Sequence, residues 1–124
     1  MNKIINIAVV GLGQVGIYLY NELNSKKKEI EIKTGKKINI VAISAKNRNK
    51  KRRFKINKKI FYSNPIKIFK LKKIDILFES IGLSDGISKK VVETALKNKV
   101  NVITPNKALI AVSYTHLTLP TTVF

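Results

Sequence analysis

The sequence predicts an α/β fold, a parallel sheet with helices packed on its faces. Three observations carry this expectation. Apolar runs of strand length recur at residues 4–10, 38–44, 75–82 and 101–104. Segments with helical spacing of apolar residues lie between them. The first run, IINIAVV, is almost unbroken, as expected of a parallel strand buried on both faces. Strands alternating with helices imply right-handed crossovers and a parallel sheet.

In chain order, strand 4–10 ends at Gly11-Leu12-Gly13-Gln14-Val15-Gly16. A helix follows over 14–24, with Val15, Ile17, Leu19, Tyr20 and Leu23 at broadly helical spacing. The charged connector 26–37 suits a second short helix closed by Gly35. Its alternating Glu29-Ile30-Glu31-Ile32 would also suit an edge strand. Strand 38–44 leads into a basic loop, 46–55. Asn64-Pro65 reads as an N-cap with proline at the first helical position, opening a helix to about residue 70. Strand 75–82 ends in a glycine loop, 82–86. A helix over 87–98 shows Val91, Val92, Ala95 and Leu96 on its apolar side. Strand 101–104 and the start of a helix at 106–111 complete the pattern. There are no internal repeats.

Composition narrows the function classes. The chain has 124 residues, no Cys and a single His116, so disulfide frameworks, thiolate metal sites and imidazole clusters are excluded. No metal is expected. No apolar run reaches the roughly 18–20 residues a membrane span needs, and no leader pattern is present, so a cytoplasmic protein is expected. The net charge of +18 invites a nucleic-acid reading. However, 19 of the 25 Lys and Arg fall in residues 26–73 with only Glu29 and Glu31 opposing them. Lys, Ile and Asn number 53 together and share A/T-rich codons, which can supply this lysine without a polyanion partner. Phe54, Phe61, Tyr62 and Phe69 read as core and not as a stacking platform between the cations. A solvated lysine surface is expected, with nucleic-acid binding through 46–59 kept as the rival of a different class.

The glycine loop is weak evidence alone, yet here it follows a buried strand and opens a helix, the context dinucleotide binding requires. Gly11 permits the tight turn, Gly13 lets the backbone approach a pyrophosphate, and Gly16 allows close helix packing. The helix N-terminus offers free N–H groups to phosphate. The fold is thus expected to be a Rossmann-type sheet, incomplete at this length. An NAD site usually ends its second strand with Asp or Glu. Here the strand ends Ser44-Ala45-Lys46-Asn47-Arg48, with no acid. Ser44 can hydrogen-bond a ribose phosphate, while Lys46 and Arg48 can neutralise it. NADP is therefore expected, with NAD possible.

Glu79-Ser80-Ile81-Gly82, then Asp85-Gly86, then Ile103-Thr104-Pro105-Asn106-Lys107-Ala108-Leu109 carry more specific information. Together with the glycine loop, they resemble the amino-terminal domain of homoserine dehydrogenase over residues 5–111. That family carries G-x-G-x-V-G, a V-S-A-R-type end to the second strand, E-x-x-G, and T-x-N-K-A-L in this order. The resemblance implies interconversion of L-aspartate 4-semialdehyde and L-homoserine with NAD(P)H, towards threonine, methionine and isoleucine. It implies that Gly11, Gly13, Val15 and Gly16 line the pyrophosphate and adjoining ribose. Lys46 stands where many members have Arg, near the adenosine ribose; the exchange keeps charge but loses the planar fork. Ser80 would lie on the nicotinamide side. Lys107 would contact cofactor and steady the substrate's developing oxyanion. Glu79 reads as a loop-ordering carboxylate. The rival within the class is another NAD(P)-dependent amino-acid or semialdehyde dehydrogenase.

Residues 112–124 contain no Lys, Ile or Asn, a sharp change of compositional source. VSYTHLTLPT resembles translated transposon-adapter DNA of sequencing libraries, so this tail is set aside from the fold and His116 receives no role. The expected organisation is a cofactor domain over 1–111 and a non-native tail over 112–124. The family's substrate and dimerisation domain, with its proton-transfer Lys and Asp and its homo-oligomer contacts, is expected to be absent. The chain alone is then expected to bind NADPH weakly and to be inactive, because hydride transfer needs both reactants held together.

Overall fold

The structure is a computed structural model that describes residues 3–46, 49–81, 86–104 and 121–123. Among the described residues, five strands form one parallel sheet in the order β2-β1-β3-β4-β5. They are β1 Lys3–Val10, β2 Lys36–Ser44, β3 Ile76–Glu79, β4 Asn101–Thr104 and β5 Thr121–Val123. The helices are α1 Gln14–Ser25, α2 Lys27–Thr34, α3 Ile68–Leu71 and α4 Ile87–Lys97. The chain therefore steps outward on one side of β1, then returns and builds on the other side. The α/β expectation holds, with the sheet parallel throughout.

The apolar run of β1 divides between two cores because successive side chains point to opposite faces. Ile7 and Val9 join Ile17 and Tyr20 of α1 and Ile38, Ile40 and Ile43 of β2 on one face. Ala8 and Val10 join Ala42, Leu77, Val102 and the α4 residues Val91, Val92, Ala95 and Leu96 on the other. The β1–β2 register shifts between Ile7 and Ala8, so Ile7 pairs with Ile40 but Ala8 with Ala42. This bulge turns Val41 and Ala42 to the same face, and β2 reaches the end of β1 with Ser44 opposite Val10. Phe54 and Phe61 pack against the α1 core, and Tyr62 and Phe69 against the α4 core, as their reading as core residues anticipates.

The ambiguous connector is helical. α2 ends at Gly35, whose φ of 71° supplies the left-handed C-cap and whose N–H donates to Glu31 O. The Asn64–Pro65 expectation needs correction. The Asn64 Oδ1 accepts the Ile66 N–H at 2.9 Å, closing a turn, and helical residues start only at Ile68. An Asx turn consumed the side chain that would have capped the helix. β3, Ile76–Glu79, is also shorter than the 75–82 apolar run, and Asp75 just before it clips both neighbouring strands. Its carboxylate accepts the Asn6 N–H at 2.8 Å, and its carbonyl accepts the Asn101 N–H at 3.0 Å.

One feature escaped the sequence. Phe61 forms an isolated parallel bridge with Ile43, and the Tyr62 N–H donates to Ile43 O at 2.8 Å. This single bridge lies beyond β2, at the position of the third strand in the 3-2-1-4-5-6 order of doubly wound dinucleotide folds. At the opposite edge, Thr121–Val123 of the set-aside tail pair with β4, Ile103 with Thr122. Thr and Val are β-branched and suit a strand. The glycine loop residues 82–85 and the helix expected at 106–111 lie outside the described residues.

The basic surface is largely solvated. Ion pairs Lys26–Glu22 (3.3 Å), Lys33–Glu29 (3.0 Å) and Lys89–Glu93 (3.9 Å) join residues one helical turn apart at the surface. The hydrogen-bonded Glu22 carboxylate raises the Lys26 ammonium above its ordinary value. Pairs of this kind contribute little to stability. Among the described residues, no helix is long and apolar enough to cross a membrane.

Candidate functional site

The direction of chain build-up reverses between β1 and β3, and ligands of open α/β sheets bind beyond the strand ends at such a point. The loop after β1 occupies it. Gly11 has φ +93°, and a Cβ there would stand 2.8 Å from the Ile81 nitrogen and the Ser80 carbonyl carbon. Its N–H donates to Ser44 O at 2.8 Å, tying the ends of β1 and β2 together. Gly16, one turn into α1, is packed so tightly that a Cβ would overlap the Gly11 carbonyl oxygen. Ser80 closes the arrangement: its Oγ donates to Gly11 O at 2.8 Å. Gly11, Gly16 and Ser80 thus form one interlocked unit.

Gly13 differs from both. A Cβ there would meet nothing within 4 Å, and its φ of −72° is open to any residue. It stands at the N-cap of α1 without a capping side chain. The first helical bond is Ile17 N–H to Gly13 O at 2.9 Å, so the N–H groups of Gln14, Val15 and Gly16 have no partner within the helix. These three donors and the positive end of the helix dipole are suited to a phosphate. Open space at Gly13 is what close approach of such a group requires. The chemistry and the room both fit a pyrophosphate.

A cleft of about 920 Å³ opens beside this loop. Gly13 and Val15 line it from the glycine loop, Phe78 and Ile103 from the sheet, and Lys50–Phe54 from the basic segment. No Asp or Glu lines it among the described residues. The combination of apolar surface with four successive cations suits a ligand that is both aromatic and polyanionic. Val15 is half exposed and Phe54 lies beneath the Arg53 guanidinium, 5.5 Å from ring centre to Cζ.

The expected site residues fall into three groups. Gly11, Gly13, Val15, Gly16 and Ser80 are brought together at the loop. Ser44 is buried at the end of β2, 1% exposed, and Lys46 is exposed two residues further on. Arg48 and Lys107 lie outside the described residues. Glu79 is buried at the end of β3, paired with Val10. Sequence reasoning missed Lys50, Lys51, Arg52 and Arg53 as cleft residues because they looked like part of a uniform basic run. A signal existed in the alternation of Phe54 and Ile56 with Arg53 and Lys55, and the structure half-buries Arg52, Phe54 and Ile56 while exposing Lys51, Arg53 and Lys55, the period-two pattern of an extended segment lying on a surface. It also missed the Ser80 hydroxyl as the latch on the glycine loop, since that contact spans 69 residues.

Comparison with known proteins agrees with this geometry. Residues 11–119 match the family model described as homoserine dehydrogenase, NAD binding domain. The homoserine dehydrogenase of Neisseria gonorrhoeae is 31% identical over 109 residues, 88% of this chain and 25% of the relative. That of Methylobacillus glycogenes is 32% identical over 109 residues, 88% of this chain and 26% of the relative. A crystal structure of S. aureus homoserine dehydrogenase superposes with a TM-score of 0.83 at 27% identity, covering 98% of this chain and 33% of that one. The chain spans about a quarter of the length of the curated relatives it matches.

Proposed function

This chain belongs to the homoserine dehydrogenase NAD-binding domain family, and from that premise we propose that its cleft binds a nicotinamide dinucleotide, NADP in preference to NAD. We propose further that the whole protein interconverts L-aspartate 4-semialdehyde and L-homoserine. The observation that carries the reading is Gly13, exposed at the head of α1 between two glycines at which an added Cβ would clash with backbone.

When bound, the dinucleotide supplies a hydride to the aldehyde carbon, or takes one from the alcohol carbon. The N–H groups of Gln14, Val15 and Gly16 hold its pyrophosphate against the helix terminus. Lys46 and Arg48 neutralise a 2′-phosphate, Ser44 belongs to the same set, and Lys50–Arg53 add the positive charge that lines the cleft. Ser80 stands on the nicotinamide side while keeping the glycine loop closed. The Lys107 ammonium steadies the substrate oxygen as negative charge develops on it. Ordering of the loop falls to Glu79.

The residues that hold the small-molecule substrate and move the proton belong, in this proposal, to the part of the relatives beyond the shared quarter. So do the homo-oligomer contacts. A cytoplasmic place in the formation of threonine, methionine and isoleucine follows from the same reading, as does the division into a cofactor domain over 1–111 and a foreign tail over 112–124. Titration of the chain with NADPH and NADH, by nucleotide fluorescence or calorimetry, tests the core of it. Tighter binding of NADPH is expected, and no binding of either would overturn the proposal. Homoserine-dependent NADP reduction is expected of the full-length product and not of residues 1–124.

A further inference from the structure

Tyr20 lies one helical turn after Gly16 on α1, so the two share a helix face. Its ring is buried, 5% exposed, in the core that also receives Phe54, Ile56, Ile60 and Phe61. A phenylalanine would fill that apolar slot equally well. What distinguishes tyrosine there is its hydroxyl, which accepts the Asn57 backbone N–H at 3.0 Å. Asn57 in turn begins the short 3-10 turn Lys58–Ile60, its Oδ1 accepting the Lys59 N–H at 3.0 Å.

Among the described residues, the segment upstream of Asn57 has no ladder partner to set its orientation. Between Lys51 and Asn57 exposure alternates residue by residue, with Arg52, Phe54 and Ile56 turned inward. In an extended segment a slip of one residue exchanges the inward and outward sets. A hydrogen bond at Asn57 is placed to fix that phase, and it fixes it relative to the helix that begins at the glycine loop. Beside the apolar packing of Phe54 and Ile56 on the α1 core, the Tyr20 phenol thus adds a directional tie between the two walls of the cleft.

We propose that Tyr20 is a positioning residue of the cofactor cleft, holding the Lys50–Arg53 wall in phase and at a set distance from the glycine loop, and so setting the preference for a 2′-phosphorylated dinucleotide. This rests on the dinucleotide reading above. The reason is electrostatic: charge recognition depends on the placement of cations, whereas the glycine loop, shared by both dinucleotides, is interlocked without Tyr20.

The test is Tyr20→Phe in the 124-residue chain, titrated with NADPH and NADH beside a thermal melt. NADPH affinity is expected to fall about 3–10-fold, the range of one hydrogen bond. NADH affinity is expected to change less than about twofold. Asn57→Pro removes the donor from the other side, its φ of −82° being compatible with proline, and is expected to shift the ratio the same way relative to Asn57→Ala, which loses only the Oδ1 that accepts the Lys59 N–H. In an Arg52→Ala/Arg53→Ala background, Tyr20→Phe is expected to leave the ratio unmoved. Equal losses for the two dinucleotides, or an undiminished shift in that background, would overturn the inference while leaving the cofactor reading standing. Failure of the unaltered chain to bind either dinucleotide removes both.

Discussion

The two walls of the cleft are held by different means. The glycine-loop wall is backbone against backbone: Gly16 lies on the Gly11 carbonyl, Gly11 on the Ser80–Ile81 peptide, and Ser80 latches the same carbonyl. The basic wall is an extended segment whose side chains alternate in and out, anchored at Asn57 by Tyr20 and at Tyr62 by Ile43. The first wall has no room for an added atom at Gly11 or Gly16, so its shape follows from which positions are glycine. The second has room and takes its shape from a few contacts distant in sequence. Phosphate binding common to both dinucleotides can rest on the first, and discrimination between related ligands on the second.

Substitution at Gly16 should separate the walls most sharply. Gly16→Ala forces a Cβ into the Gly11 carbonyl, and overpacking of this kind costs about 1–3 kcal/mol or more. A clear fall in melting temperature together with loss of both dinucleotides is expected; a variant that melts and binds normally would break the interlocked picture.

Replacing Arg52 and Arg53 together by Gln is the matching change on the basic wall. Charged hydrogen bonds contribute about 1.5–3 kcal/mol, so NADPH should weaken on the order of tenfold or more, with a shallower salt dependence. The melt and NADH binding should be nearly unchanged. Equal weakening of both nucleotides would mean that the wall shapes the cleft without reading the phosphate.

Gly13→Ala sharpens the comparison from within the first wall. The site is open and its backbone is allowed for alanine, so reduced chain entropy should leave stability equal or higher by about 0.4–1 kcal/mol. Calorimetry should nevertheless show dinucleotide affinity falling about tenfold, because the methyl would stand where the proposed site receives the pyrophosphate. Unchanged affinity would move the pyrophosphate away from Gly13.

The smallest effect is expected at the latch. Ser80→Ala removes one donor from a carbonyl that keeps its packing, and should cost about 1 kcal/mol in chemical denaturation. A larger loss, close to that of Gly16→Ala, would show that the hydroxyl holds the loop and does not merely secure it.

The glycine wall was almost fully legible in the sequence. Its spacing fixes a turn, an approach and a packing contact by local sterics, and all three glycines behave in distinct ways at the expected place. Charge was legible as a concentration in residues 26–73 but not as a surface. Lys46 and Arg48 were favoured because they follow Ser44 directly, whereas Lys50–Arg53 reach the cleft only through the path the chain takes after residue 46. The helix expected from Asn64 started late for a related reason, since one side-chain oxygen can cap a helix or close a turn and the local residues permit both.

By itself the sequence determined the alternation of strands and helices, the two-sided burial of β1 and the glycine loop, because periodicity and backbone sterics act over a few residues. Only the tertiary structure decided which carbonyl Ser80 latches, which face Val41 takes after the bulge, and which cations meet the loop across the cleft. Those choices depend on pairs of residues tens of positions apart, brought together by the order in which strands join a sheet, and no local pattern encodes that order.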